Sequence, residues 1–255
     1  MPEQPHRLGP VSAELKIADC AACPHRDSLR AAGRCSPGDT CLMVESGRQI
    51  DRFLRSNPSF ADACLRDPFW ERRAIAVRYA PLDAIAGMVD DRDEVVRRAV
   101  ALRLKDDDLL ALLRDPDREV RITVADRLPP ARLTLMLGDA DYQVRVRVAH
   151  RLPHGKLPKL ADDPEREVRK EVARRLPPFA LDRLAGDADA EVRRIVAGRA
   201  LPALAARLLV DEDWLVRRQA VLQAATQDLV AVIDDPEADV RELARGRLAG
   251  MLSDD

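Results

Sequence analysis

A pattern that returns every 24 residues governs most of this chain. A Val-Arg pair recurs at that interval, at 96–97, 120–121, 144–145, 168–169, 192–193, 216–217 and 240–241. An aspartate leads each unit: Asp67, Asp91, Asp115, Asp139, Asp163, Asp187, Asp211 and Asp235. There are eight copies without an insertion, the last one truncated. A fixed period of this length is typical of a solenoid, in which each unit buries its apolar face against its neighbours.

One unit, residues 163–186, shows what a single repeat can form. Asp163 is predicted to cap a helix that starts at Pro164, since proline suits the first helical position. At about 100° per residue the apolar side chains of this helix share one arc, and the helix is expected to end near Leu176, before two prolines. The few residues left suit a short 3₁₀ helix only. A repeat with two full helices needs about 40 residues. We therefore predict an all-α chain with one α-helix and one 3₁₀ helix per repeat.

An arginine lies inside the apolar arc of each helix, as Arg169 does in this unit. An unpaired buried charge costs several kcal/mol, so the arginine needs a carboxylate partner. The partner is expected to be Asp163 of the same unit or Asp187 of the next. Either choice predicts an Asp–Arg ladder along the repeats.

A second arginine column lies at the edge of the arc. Its members are Arg103, Arg127, Arg151, Arg175, Arg199 and Arg247, and the series is broken by Tyr79 and Gln223. Two interpretations stay open. These side chains form a solvated margin with buried stems, or they present a row of positive charge to a phosphate backbone or an acidic partner.

A cysteine cluster precedes the repeats. Its members are Cys20, Cys23, Cys35 and Cys41, in the spacing C-x₂-C-x₁₁-C-x₅-C. A short segment of this kind cannot bury enough apolar surface to order itself, so metal binding is expected to supply its folding energy. Both zinc and an iron–sulfur cluster take four thiolates, and spacing alone leaves the two nearly even. Gly33, Pro37 and Gly38 permit the tight turns that such a site needs.

Two other residues could belong to metal or redox chemistry. His25 is expected to lie beside the cluster or at the surface rather than to replace a ligand. Cys64 falls, in steps of 24 residues, on a column of leucine, methionine and valine. It is therefore interpreted as a small buried apolar side chain, with a redox thiol as the alternative.

The repeat D-P-x-x-x-V-R-x-x-V-A-x-R-L-P and the segment C-A-A-C-P-H-R…C-S-P-G-D-T-C together resemble the leucine-rich repeat variant (LRV) family. The resemblance covers residues 20–250 or so. It implies alternating α and 3₁₀ helices in a right-handed superhelix without sheet. It also implies a [4Fe–4S] cluster on the four cysteines, rather than zinc. Repeats 67–90 and 211–234 depart from the pattern, with Arg72 and Arg73 in place of Val-Arg and with Trp214 near a helix start.

Composition limits the remaining function classes. The net charge is −2, so no bulk attraction to nucleic acid or an anionic membrane is expected. No apolar run is long enough to span a membrane, and residues 1–16 lack the pattern of an export signal. A cytoplasmic location is expected. No catalytic set emerges, because the histidines His6, His25, His150 and His154 show no ligand or triad spacing.

These inferences predict a cluster module at residues 1–47, transition helices at 48–66 and a solenoid of about eight repeats at 67–255. The first functional hypothesis is a non-enzymatic scaffold for a protein partner, with the cluster as a structural or redox-sensing cap and with no membrane or small-molecule substrate. The second is an electron-transfer protein that docks a redox partner. The third is a nucleic-acid binder that uses the second arginine column.

Overall fold

A computed structural model of the chain describes residues 17–251. His6 and the stretch on which the absence of an export signal was predicted lie outside these residues. The chain divides into two compact units, of which the first ends at Thr123 and the second begins at Val124. Within the described residues there is no strand, and the extended backbone pairs at one isolated bridge, Ser36–Thr40. The prediction of an all-α chain is confirmed.

Helices of two kinds alternate along the chain. The α-helices are α1 (Gly47–Ser56), α2 (Ala61–Cys64), α3 (Trp70–Val77), α4 (Leu82–Ile85), α5 (Glu94–Ala101), α6 (Arg118–Arg127), α7 (Tyr142–Arg151), α8 (Arg166–Arg175), α9 (Ala190–Ala197), α10 (Pro202–Leu208), α11 (Trp214–Gln223) and α12 (Ala238–Met251). The 3₁₀ helices are Pro58–Phe60, Ala86–Met88, Asp108–Leu112, Pro130–Met136, His154–Leu160, Pro178–Leu184 and Thr226–Val232. The predicted pairing of an α-helix with a 3₁₀ helix in one repeat is thereby confirmed, and the fold class is an α-solenoid of repeats. The right-handed sense of its superhelix stays a prediction.

The α-helix of a repeat begins two residues later than the sequence predicts. Asp163 does not cap α8, because its Oδ1 accepts the backbone N–H of Glu165 at 2.9 Å in a turn that precedes the helix. In repeats that carry a second aspartate two positions after the leading one, this second aspartate is the helix cap. Its side chain accepts a hydrogen bond from the backbone N–H two residues further on, as seen for Asp93, Asp141, Asp189 and Asp213. The helix ends as predicted, because Leu176 is extended before Pro177.

The core of each repeat is a short column of apolar side chains. In the unit at 163–186 the column is Val168, Val172, Ala173, Leu176, Leu181 and Leu184, none of which is more than 2% exposed. Burial of each valine or leucine stabilises the fold by about 1.5–3 kcal/mol before the loss of chain entropy is counted. Cys64 of the first unit is likewise buried, in agreement with its interpretation as a core residue.

The Asp–Arg ladder is confirmed, and its partner is the aspartate of the next repeat. Arg145 donates from Nε and Nη2 to the two carboxylate oxygens of Asp163 at 2.7 and 2.9 Å. The same two-pronged pair recurs in the first unit as Arg73–Asp91 and Arg97–Asp115, and in the second as Arg145–Asp163, Arg169–Asp187, Arg193–Asp211 and Arg217–Asp235. The third donor is used within the repeat, since Arg169 Nη1 donates to the backbone oxygen of Asp163 at 2.8 Å.

One repeat replaces its 3₁₀ helix with a second α-helix. In the repeat at 187–210 this is α10, whose sequence PALAARL contains three alanines, the residue with the strongest intrinsic preference for α-helix. The buried column nevertheless persists there through Leu204, Ala205 and Leu208. The change of helix type therefore leaves the repeat core intact.

Candidate metal centre

The cysteine module occupies residues 17–46 of the described chain, and we use that name for it below. Cys20 and Cys23 precede a π-helical turn, Arg26–Arg30, and Cys35 follows it. Cys41 precedes α1, and its N–H donates to the backbone oxygen of Gln49 at 3.3 Å. The four residues therefore lie on turns and loops, positions that let side chains converge from several directions.

Glycine makes two of these turns possible. Gly33 has φ +66° and Gly38 has φ +78°, in the left-handed region that side chains with a Cβ avoid. The first glycine brings the chain back to Cys35. The second sits between Ser36 and Thr40, whose backbones pair at 2.8 Å. The prediction that these glycines turn the chain is confirmed.

The other three thiols of the cluster act on the pKa of Cys35. Burial is the main cause that raises the pKa of the Cys35 thiol above its ordinary value. The charges of Cys41, Cys23 and Cys20 raise that pKa further, and Arg30 acts in the opposite direction. Each thiolate therefore makes ionisation of the neighbouring thiols less favourable. A positively charged metal core would relieve that repulsion.

The structure does not bring the four thiols into a metal-ligand arrangement. Within residues 17–251, no three histidine, cysteine or carboxylate side chains already stand close enough to enclose an ion. All five cysteines are unbridged. Cys41 is buried, whereas Cys20, Cys23 and Cys35 are half-buried. The donor set consists of four soft thiols, which fits either an iron–sulfur core or zinc.

A buried asparagine ties the module to the helix behind it. Asn57 is fully buried, and its Nδ2 donates to the backbone oxygens of Arg34 and Phe53, both at 3.0 Å. The bond to Arg34 fixes the backbone immediately before Cys35. Within the described residues, the Oδ1 of the same amide has no hydrogen-bond partner. A short 3₁₀ helix starts at Pro58, but the Asn57 side chain does not cap it.

The module also contacts the first repeat. Helix α1 packs against α3, and Arg72 Nη2 donates to the backbone oxygen of Val44 at 3.3 Å. Gly47 lies so close to Glu71 that a Cβ in its place would stand 2.1 Å from a carboxylate oxygen. Asp39 forms an ion pair with Arg52 of α1. Backbone and side chains of the module are thus fastened to α1 and to the first repeat.

His25 and Cys64 do not join the thiol set. The ring of His25 meets the edge of Phe60, with ring centroids 5.3 Å apart. Burial is the main cause that raises the pKa of Cys64, so its thiol stays protonated at neutral pH. These positions favour the packing interpretation of both residues over a ligand or redox role.

The second arginine column has a role that the sequence did not indicate. Arg175 Nη1 donates to the backbone oxygens of Ala149 and Leu152, at 2.6 and 2.8 Å, where the helix of the preceding repeat ends. Arg103, Arg151 and Arg247 make the same pair of bonds, and Arg199 donates to the backbone oxygen of Ala173. They satisfy carbonyls that lack a partner within their helix, and their charge opposes the helix dipole. All five side chains are half-buried, which agrees with a margin of buried stems, but the sequence did not indicate that their guanidinium groups bind carbonyls. Their Nη1 donors are engaged within the protein, which removes the main support for a phosphate-binding row.

Helical repeats with inter-repeat ladders, preceded by four thiols on turns, define a helical-repeat protein with an amino-terminal metal module. Residues 16–63 match the family model described as "LRV protein FeS4 cluster", and residues 118–141 and 166–189 match the model "Leucine rich repeat variant". A solved structure described as a leucine-rich repeat variant with a novel repetitive protein structural motif is 53% identical, with a TM-score of 0.87 over 91% of this chain and 100% of that one. The chain belongs to the leucine-rich repeat variant family, and its amino-terminal segment is that family's iron–sulfur cluster domain.

A curated relative gives a partial match. The chain is 41% identical over 104 residues to the "Uncharacterized 27.7 kDa protein in nifB 3'region" of Rhodobacter capsulatus. The match spans 41% of this chain and 41% of that relative's length.

Proposed function

We propose that this protein is a non-enzymatic scaffold whose repeats bind a protein partner and whose amino-terminal end is capped by a [4Fe–4S] cluster. The ligands are Cys20, Cys23, Cys35 and Cys41. A reducing, cytoplasmic setting suits this role, because oxidation would pair the thiols that the cluster needs. Within the described residues, no helix has the length and apolar content that a membrane span requires.

The observation that carries this proposal is the junction between the module and the first repeat. Leu42, Val44 and Ile50 are buried there, and Arg72 bonds to Val44 across the junction. The terminal unit of a solenoid needs a cap because one of its apolar faces has no neighbouring repeat. The module supplies that cover, and the cluster would supply the order that its few buried side chains do not.

The cluster has a limited chemical repertoire. When bound, a [4Fe–4S] cluster cross-links its four ligands and can exchange an electron. In this chain the backbone bond from Asn57 and the turns at Gly33 and Gly38 hold the ligand loops, and Arg30 supplies positive charge near Cys35. These features hold thiolates together, which is what a structural or redox-sensing cap requires.

Five matched alanine variants test the ligand assignment. Protein is purified without oxygen, and its iron, sulfide and zinc contents and absorption spectrum are measured. We expect about four irons in the unaltered protein, loss of the cluster in the Cys20, Cys23, Cys35 and Cys41 variants, and retention in Cys64→Ala. Zinc in place of iron, or a cluster that survives loss of one of the four thiols, contradicts the assignment.

The scaffold role is tested by in-cell cross-linking followed by mass spectrometry of the purified complex. We expect one protein partner to be recovered in stoichiometric amount with the cluster-loaded chain. An enzymatic turnover found in the isolated chain, or recovery of the chain alone, contradicts this role.

An electron-transfer role is the second candidate, and one observation favours it. Cys20, Cys23 and Cys35 are half-buried, so a cluster on them would lie near the surface. Voltammetry of the loaded protein tests this role. A reversible one-electron couple supports electron transfer, whereas a cluster that is silent over the accessible range supports a purely structural cap.

A further inference from the structure

The loops that open the first three repeats enclose two adjoining pockets in the first unit. One pocket, of about 390 Å³, lies between the loops at 89–92 and 111–116. The other, of about 530 Å³, lies between the loop at 65–68 and the loop at 89–92. Asp91 and Arg92 line both pockets, and we call the two pockets together the loop groove.

Three arginines give the loop groove its positive charge. Arg66 lines one pocket, Arg114 lines the other, and Arg92 lines both. All three side chains are exposed. Arg92 is held over the groove by a bond from its Nη2 to the backbone oxygen of Pro68 at 2.9 Å. Among the described residues, neither Arg66 nor Arg114 has an ion-pair partner.

The carboxylates of the loop groove do not cancel this charge. Asp91 and Asp115 each receive two hydrogen bonds from a ladder arginine. Asp67 accepts a hydrogen bond from Arg72 at 2.6 Å. The remaining carboxylate that lines the groove is Asp90. The lining of the two pockets holds five arginines and four aspartates, a net charge of +1, and the arginines outside the ladder pairs are the three exposed ones.

The repeat fold does not require these arginines. In later repeats the positions of Arg66 and Arg114 are taken by Gly138, Asp162, Gly186, Val210 and Asp234. The position of Arg92 is taken by Pro116, Ala140, Pro164, Ala188, Glu212 and Pro236. The ladder and the core are formed equally well in those repeats, so the basic loops serve something other than folding.

We propose that the loop groove binds an acidic segment of the partner protein, with glutamate or aspartate side chains of that segment paired to Arg66, Arg92 and Arg114. Guanidinium groups recognise carboxylates through paired hydrogen bonds. Pockets of about 390 and 530 Å³ suit individual side chains of a short peptide. This inference rests on the proposed scaffold function and adds the place and chemistry of docking.

A protein segment fits the loop groove better than a nucleic acid does. A phosphate chain neutralises a long basic surface, one charge per nucleotide. Here the basic positions are confined to residues 66–114, and the equivalent loops of the second unit are neutral or acidic. Asp90 also stands between the arginines, where it would repel a continuous phosphate chain. A short acidic peptide can place its carboxylates around that point.

The test is calorimetric titration of the full-length, cluster-loaded protein with a ten-residue peptide of alternating glutamate and glycine, at about 50 mM salt, where surface charges are weakly screened. A triple variant, Arg66→Gln, Arg92→Gln and Arg114→Gln, removes the groove arginines. The matched control changes three exposed helix arginines: Arg98→Gln, Arg194→Gln and Arg218→Gln. We expect the groove variant to bind at least about tenfold more weakly and the control to bind within about twofold of the unaltered protein.

Three outcomes overturn the proposal: no binding by the unaltered protein, equal weakening by both triple variants, and tighter, groove-dependent binding of a ten-nucleotide oligothymidylate than of the peptide. Iron content and the melting temperature are measured on the same samples. If they are unchanged, weaker binding by the groove variant supports docking rather than a folding defect. If the partner is still recovered by cross-linking while the peptide fails to bind, the groove is wrong and the scaffold function stands.

Discussion

The cysteine module and the repeats of the second unit reach an ordered state by different means. Each complete repeat buries a column of apolar side chains and adds a ladder pair, and most also have carbonyls capped by an arginine. The module, from residue 17 to 46, buries Leu29, Cys41, Leu42 and Val44 and depends on turns. The difference indicates that periodic contacts stabilise the repeats, and it is the reason why we propose that a bound cluster orders the module.

Removal of a ladder carboxylate is expected to lower the free energy of unfolding more than any other change considered. In Asp163→Ala the Arg145 guanidinium stays buried without its partner, and the turn bond to Glu165 is lost. We expect the free energy of unfolding to fall by about 3 kcal/mol. Asp182→Ala is the control, because its pair with Arg207 is exposed and worth less than about 1 kcal/mol. Equal losses in urea denaturation would show that the ladder contributes no more than a surface pair.

The next largest effect is expected at the link between the module and α1. Asn57→Ala removes two buried hydrogen bonds, one of them to the backbone before Cys35. We expect a loss of about 2 kcal/mol and faster release of iron to a chelator. Thr226→Ala, at a half-buried position in the second unit, is the control for nonspecific loss of stability. If iron release is unchanged, Asn57 does not position the ligand loop.

A smaller effect is expected from the arginines that cap carbonyls. Arg175→Met keeps the aliphatic stem but removes the bonds to Ala149 and Leu152. We expect unfolding to become easier by about 1 kcal/mol. The neighbouring exposed Arg174→Met is the matched control and should change stability little. An equal or larger loss in the control would show that the bonds to the carbonyls contribute no more to stability than an exposed arginine does.

The smallest effect is expected from the pH dependence of stability below pH 4, through the carboxylate of Asp235. The hydrogen bond from Arg217 is the main cause that lowers the pKa of Asp235. A lowered pKa in the folded state stabilises the fold above the unfolded pKa, near 3.9, and that contribution disappears as the pH falls through the folded value. Denaturation midpoints should therefore be level from pH 7 to about 5 and fall below pH 4. Asp235→Asn should lessen that fall, and an unchanged acid profile would contradict the assignment.

The repeat architecture could be predicted from the sequence because the same residue types recur at a strict period, so every unit indicates the same local structure. The buried columns and the ladder follow from it, since an arginine inside an apolar arc admits few partners. Cys64 could be assigned to the core for the same reason. The position of the helix start could not be predicted, because Asp163 is held in the turn before the helix by Arg145, which belongs to the previous repeat.

The contacts that were missed join residues whose distance depends on how repeats stack. Arg175 meets carbonyls 26 and 23 residues earlier, a relation that no local pattern indicates. A column of arginines at a fixed position was the available signal, and its regularity favoured a structural role. Asparagine before proline is typical of a helix start, and a helix does begin at Pro58, but that pattern gave no sign that the Asn57 side chain bonds to Arg34 and Phe53. The assignment of individual ligands stays a prediction because spacing does not state which metal the thiols hold.

Hydrogen–deuterium exchange of the loaded and the cluster-stripped protein tests the central claim most directly. Loss of the cluster should bring residues 17–46 to the exchange rates of an unfolded chain. It should also lower the protection of α1 and of α3, the helix of the first repeat. Protection in the repeats of the second unit should stay the same. If the stripped protein keeps the protection pattern of the loaded one throughout, the module orders itself and the account of the metal-dependent cap is wrong.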